Sequence, residues 1–161
     1  MSWKILIPIL AFLTSHKTSV LMQNDQLPFI LLIDNTIPAT NILNSYFSIY
    51  DNSGSPEDSI PFEYHVGYIE FNSIDYQNLI HKYVDARIFI NFKYEKFGSN
   101  AYFTKNYKEE LPKGGLNEQY MVIKIYNYID TESRKKFSLK KNGYVFIIQS
   151  PNLESKSTKK E

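Results

Sequence analysis

Tyr120-Met121-Val122-Ile123-Lys124-Ile125-Tyr126-Asn127-Tyr128-Ile129 is the stretch that decides the fold class. In an extended chain Met121, Ile123, Ile125 and Ile129 fall on one face, and Tyr120, Val122, Lys124, Tyr126 and Tyr128 on the other. Side chains alternate across a strand with a period of two, so the stretch reads as a strand with its aliphatic face buried. Arg87 to Glu95 repeats the pattern. Ile88, Ile90, Phe92 and Tyr94 point one way, Asn91, Lys93 and Glu95 the other, with Phe89 the exception. The chain holds 13 Tyr and 11 Phe, and aromatic and β-branched side chains pack well on a pleated surface.

The neighbouring segments follow from these two. Leu27 to Asp34 is a solid apolar run that suits a strand buried on both faces. In Ile37 to Tyr50, residues Ile42, Leu43, Tyr46, Phe47 and Tyr50 fit a helical face with Thr40 as N-cap, whereas Tyr46 to Tyr50 alone suits a strand, the preferred reading. Asp51 to Pro61 is rich in turn formers and reads as a surface loop. Tyr64 to Phe71 reads as a strand. Ser73 to Tyr83 is the best helix, capped by Asn72 or Ser73, with Asp75 in its first turn and an apolar stripe of Tyr76, Leu79, Ile80 and Tyr83. Ala101 to Tyr107 is a weaker strand, and Lys108 to Asn117 a connection built around Pro112 and Gly114-Gly115. A last hairpin is expected from Lys136 to Lys140, through Asn142-Gly143, to Tyr144 to Ser150. Tyr144 to Ile148 is apolar on both faces, which suits a central strand.

The expected fold is mainly β: about six to eight mostly antiparallel strands in a sandwich or open sheet, with one short helix at about 73–83. An α+β sheet is the alternative. The 161 residues suit one domain. It is expected at 27–151, after a leader (1–19) and a tether (20–26), with a polar tail at 152–161.

The leader has a distinct pattern. Lys4 precedes the apolar run Ile5 to Leu13, and Thr14, Ser15 and His16 end it. A charge, a short apolar run and small polar residues form a signal-peptide pattern, and the run is shorter than the roughly twenty residues of a membrane-spanning helix. Leu13-Thr14-Ser15-His16 resembles the lipobox of bacterial lipoproteins, in particular the small lipoproteins of Bacteroidetes. In that family the residue after Leu-Thr-Ser is a lipidated cysteine; His16 stands there in this chain, so that route to lipidation is closed. The resemblance implies export to the periplasm or cell envelope, with cleavage after Ser15 or retention of the leader as an anchor. The membrane is then met only through an uncleaved leader.

Composition excludes several chemistries. With no cysteine, disulfides, thiolate zinc sites, iron–sulfur ligation and thiol catalysis are ruled out. There are 18 basic and 17 acidic residues, so no long-range field attracts nucleic acid, and no nucleic-acid partner is expected. No cofactor motif is present: Pro112-Lys113-Gly114-Gly115 lacks the spacing of a phosphate-binding loop. No metal site is expected from His65 and His81, and strand alternation is taken to put Glu63 and Glu70 on the face opposite His65. Asp51-Asn52-Ser53 does not match a calcium loop. Adjacent Glu109-Glu110 reads as a solvated turn. Arg134, Lys135, Lys136, Lys140 and Lys141 read as the lysines that guard a sheet edge.

What remains is a surface. Tyr120, Lys124, Tyr126 and Tyr128 would form a rigid amphipathic face suited to a protein or carbohydrate partner if no other element covers them. The sequence therefore leans away from an enzyme and towards a non-catalytic exported binding or accessory module. A periplasmic immunity or inhibitor-type protein is the alternative. A small hydrolase comes last, because it needs a pocket that gathers His65 or His81 with carboxylates.

Overall fold

The computed structural model describes residues 25–97, 102–127, 131–136, 138–139, 143–152 and 154–159. Among them, ten strands form two sheets. The six-stranded sheet runs, in spatial order, β10 (Glu154–Lys159), β9 (Tyr144–Gln149), β8 (Met121–Tyr126), β1 (Gln26–Ile33), β5 (Gly67–Glu70) and β4 (Glu63–His65). The four-stranded sheet runs β3 (Pro56–Pro61), β2 (Ile42–Tyr50), β6 (Arg87–Phe97) and β7 (Tyr102–Glu110). The fold is mainly β, as the alternation requires. Every pairing is antiparallel except β1 with β8, which run parallel with Phe29 opposite Met121 and Ile33 opposite Ile125.

The core lies between the sheets. Leu31, Ile123 and Ile125 of the larger sheet, and Phe47 and Ile49 of the smaller, have no exposed surface. Phe29, Phe146, Ile148, Ile90, Phe92 and Tyr107 are buried beside them. Each such side chain contributes about 1.5–3 kcal/mol by leaving water. The two alternating stretches are thus the inner strands β8 and β6, and they supply one wall each.

Several local expectations are corrected. β1 is buried on one face only: Leu27, Phe29, Leu31 and Ile33 point inward, while Ile30 is 40% exposed. An all-apolar run hides this, because an aliphatic outer face looks the same as a second buried one. β3 occupies part of the expected loop at Asp51–Pro61, its two prolines sitting at the ends of an edge strand where a missing N–H costs nothing. Tyr64 to Phe71 is split into β4 and β5 by a turn whose Gly67 has φ +97°, a conformation open to glycine. The expected helix has two parts, α1 (Ser73–Gln77), capped by the Asn72 side chain on the Ile74 N–H, and a π-helical turn (Asn78–Lys82).

The expected last hairpin is not formed as drawn. Thr131–Lys136 is helix α2, with Arg134, Lys135 and Lys136 in its last turn, where cations suit the helix dipole. β9 pairs instead with β8 and with β10, which forms in the stretch expected to be a polar tail. Lys140, Lys141 and Asn142 lie outside the described residues, as do the leader, most of the tether, Tyr128 and Ile129. β9 is nonetheless an interior strand, as its two apolar faces require.

Candidate functional site

The register of the larger sheet decides what its outer face displays. Lys124 lies between Leu32 of β1 and Ile147 of β9, and Val122 lies between Ile30 and Gln149. Tyr126 is opposite Val145, which is 1% exposed, so the face is covered at that end of β9. The outward side chains of three adjacent strands therefore meet in one band. Ile30 and Tyr120 are 40% and 44% exposed, and Leu32, Val122, Lys124, Tyr126 and Ile147 are half-buried. Three of the four tyrosine-face residues named from the sequence, Tyr120, Lys124 and Tyr126, share this side; Tyr128 lies outside the described residues. The periodicity of β8 could not show that β1 adds Ile30 and Leu32 to the same band, because that pairing joins segments far apart in the chain.

The band continues to the opposite edge of the sheet. Tyr68 of β5 is paired with Pro28 of β1 and with His65 of β4, and Glu63 is paired with Glu70. The expectation that Glu63 and Glu70 lie across the sheet from His65 is wrong. Positions 63 and 65 are two apart and share a face, and the turn at Gly67 sets Glu70 opposite Glu63. The His65 ring stacks on Tyr68 at 4.6 Å between centroids. Its Nε2 is 3.7 Å from a carboxylate oxygen of each glutamate. This outer surface thus has carboxylates at its β4–β5 edge and Lys124 and Lys156 towards the other, Lys156 being opposite Ile147. Among the described residues no group of three His, Asp or Glu side chains is arranged to hold a metal ion. His81 is exposed on the π-helical turn.

Two polar clusters were not legible in the sequence. At one end of the sandwich, both Asp34 oxygens accept from Asn127: Oδ1 from its backbone N–H at 2.8 Å and Oδ2 from Nδ2 at 3.0 Å. The Asn127 Oδ1 accepts from Tyr107 Oη and Lys105 Nζ, both at 3.0 Å. Burial pushes the Tyr107 hydroxyl well above its ordinary range. Asp34 and Asn35 both have positive φ, 50° and 63°, and Ile33 and Thr36 exchange backbone hydrogen bonds around them. That is a two-residue hairpin turn with the backbone twist such turns favour, so the left-handed residues have a structural cause. The cluster clamps the ends of the parallel pair β1 and β8 to β7 of the other sheet.

The second cluster closes the side of the sandwich where edge strands β7 and β10 meet. Glu109, expected in a solvated turn, is buried on β7. Its Oε2 accepts from Ser157 Oγ at 2.7 Å, and Lys159 Nζ is 3.8 Å from its Oε1. Glu110 faces outward and binds Arg87 through two hydrogen bonds of 2.8 and 2.7 Å. Strand alternation separates the two glutamates, one to the interior and one to the surface. The groove above them, of about 550 Å³, is lined by neither histidine.

No family model, no curated protein and no solved structure matches this chain.

Proposed function

We propose that this protein is an exported, non-catalytic binding module of the cell envelope, and that the outer face of its six-stranded sheet receives a protein partner. The observation that carries the reading is the outward band of Ile30, Leu32, Val122, Tyr126 and Ile147, exposed at Ile30, half-buried at the others and set in register by β1, β8 and β9. An apolar patch with charged margins is the ordinary form of a protein contact surface. Acid at the β4–β5 edge and lysines towards β10 would orient the partner. Export rests on Lys4 and the apolar run Ile5 to Leu13.

The test has two parts. Mature protein recovered from an envelope fraction should begin at His16 and lack indole fluorescence, since Trp3 is the sole tryptophan. Wild-type chain should capture a partner that, once purified, binds it one to one, and Ile30→Lys should abolish that binding while far-ultraviolet circular dichroism stays unchanged. Unaltered binding by Ile30→Lys and by a Tyr120→Ala/Tyr126→Ala variant would remove this face from the account.

A further inference from the structure

We propose that the outer face of the other, four-stranded sheet holds a binding groove for neutral, hydroxyl-rich carbohydrate, centred on Tyr46 and Asn91. This site is independent of the protein-contact face. It originates in a bulge in β2. Between the pairs Leu43–Lys93 and Tyr46–Asn91, β2 has two residues, Asn44 and Ser45, against one on β6. Asn44 takes the left-handed conformation, φ 50°. Such bulges bend a strand and re-aim side chains. The bend leaves an open groove of about 380 Å³ over β2, β6 and β7, with Asn44, Tyr46, Asn91 and Asn106 among its lining. That is within the roughly 300–1,000 Å³ of small-molecule sites.

The floor of the groove is preorganised. Asn91 is 5% exposed. Its Nδ2 donates towards three protein acceptors: Ser48 Oγ at 2.9 Å, the Phe89 carbonyl at 3.0 Å and the Tyr46 carbonyl at 3.4 Å. Two of these are carbonyls, which only accept, so the orientation of the amide is fixed. With Nδ2 turned to these acceptors, Oδ1 is the amide atom that would accept from a hydroxyl donor. On the same face of β2, the Tyr50 hydroxyl is held below its ordinary range chiefly by the hydrogen bond from Lys108 Nζ at 2.9 Å. Two cross-strand contacts thus flank the groove, Lys108 of β7 to Tyr50 of β2 and Asn91 of β6 to Ser48 of β2.

Around that floor are the groups a sugar needs. Tyr46 is 38% exposed and offers an aromatic surface to the apolar face of a pyranose ring. Asn44 and Asn106 are exposed amides, each able to donate and accept. The cations nearby are already engaged: Lys93 is ion-paired with Glu95, and Lys108 donates to Tyr50. The groove is thus no phosphate-tracking stripe of cations, which argues for a neutral ligand over nucleic acid.

The experiment is a titration of the 15N-labelled full chain with cellotetraose, chitotetraose, maltotetraose and mannotetraose, each to about 10 mM, enough to populate a site with millimolar Kd. At least one sugar should shift the side-chain amide signals of Asn91 and Asn106. Tyr46→Ala and Asn106→Ala, both at exposed positions, should each weaken that binding about tenfold, while the exposed Ile74→Ala should leave it unchanged. Absence of shifts with all four sugars, shifts confined to other residues, or undiminished binding by Tyr46→Ala would overturn the proposal.

Discussion

Replacing Asn127 by alanine isolates the clamp between the sheets. Asn127 is 8% exposed and Tyr107 2%. The substitution keeps the backbone N–H that donates to Asp34 at 2.8 Å. It removes the Nδ2 bond to Asp34 and the oxygen on which Tyr107 and Lys105 converge. An orphaned buried hydroxyl costs about 1–3 kcal/mol, and a hydrogen bond to a charged group is worth about 1.5–3 kcal/mol. These terms overlap, because Lys105 and Asp34 can turn to water, so the expected loss is about 2–4 kcal/mol. For a chain of this size that lowers Tm by about 4–16 °C. Urea denaturation followed by circular dichroism measures it. Tyr107→Phe in the Asn127→Ala background removes the stranded hydroxyl, so the double variant should lose less than the sum of the single losses. A loss below about 0.5 kcal/mol, or strictly additive losses, would refute the reasoning.

Two other outcomes follow from local geometry. A Cβ on Gly143 would sit 2.5 Å from the Lys159 carbonyl oxygen and 3.2–3.3 Å from Leu139; Gly143→Ala should therefore separate β10 from β9 and speed hydrogen exchange in Glu154–Lys159, and unchanged exchange there would contradict it. The Asp58 carboxyl is held below its ordinary value of about 4, chiefly by the Tyr83 hydroxyl, which donates to it at 2.5 Å. A depressed carboxylate adds stability above its unfolded value and loses it as pH falls through the folded one. Tyr83→Phe should move the Asp58 titration, read from its carboxyl carbon by NMR, up towards the ordinary value and shrink the acid-dependent part of stability; an unmoved titration would rule the contact out.

Period-two alternation made β8 and β6 legible, and with them the sandwich, because one buried face imposes a pattern on the chain. It failed where both faces are apolar, as in β1, and where neither is, as in β10, whose Glu-Ser-Lys-Ser-Thr-Lys shows no apolar alternation and which is placed by pairing with β9. Asn142-Gly143 suggested a tight hairpin, yet the β8–β9 connection carries α2. A dipeptide reports a local preference, whereas strand partners are chosen by burial across the sheet. Tyr120, Lys124 and Tyr126 were legible as one face. The clamp and the groove were not. Asp34 and Asn127 meet across the parallel pair, and Asn91 is oriented by the Phe89 carbonyl together with the Tyr46 carbonyl and the Ser48 hydroxyl of β2. Such contacts depend on the register of distant segments, which no local pattern encodes.

The most direct test is solvent accessibility on the larger sheet, read from methyl-labelled protein with a soluble paramagnetic agent. Ile30, Leu32, Val122 and Ile147 methyl signals should be strongly attenuated, while those of Leu31, Ile123, Ile125 and Ile148 persist. Equal protection of the two sets would mean that another layer covers the outer face, and the contact surface placed there would be gone.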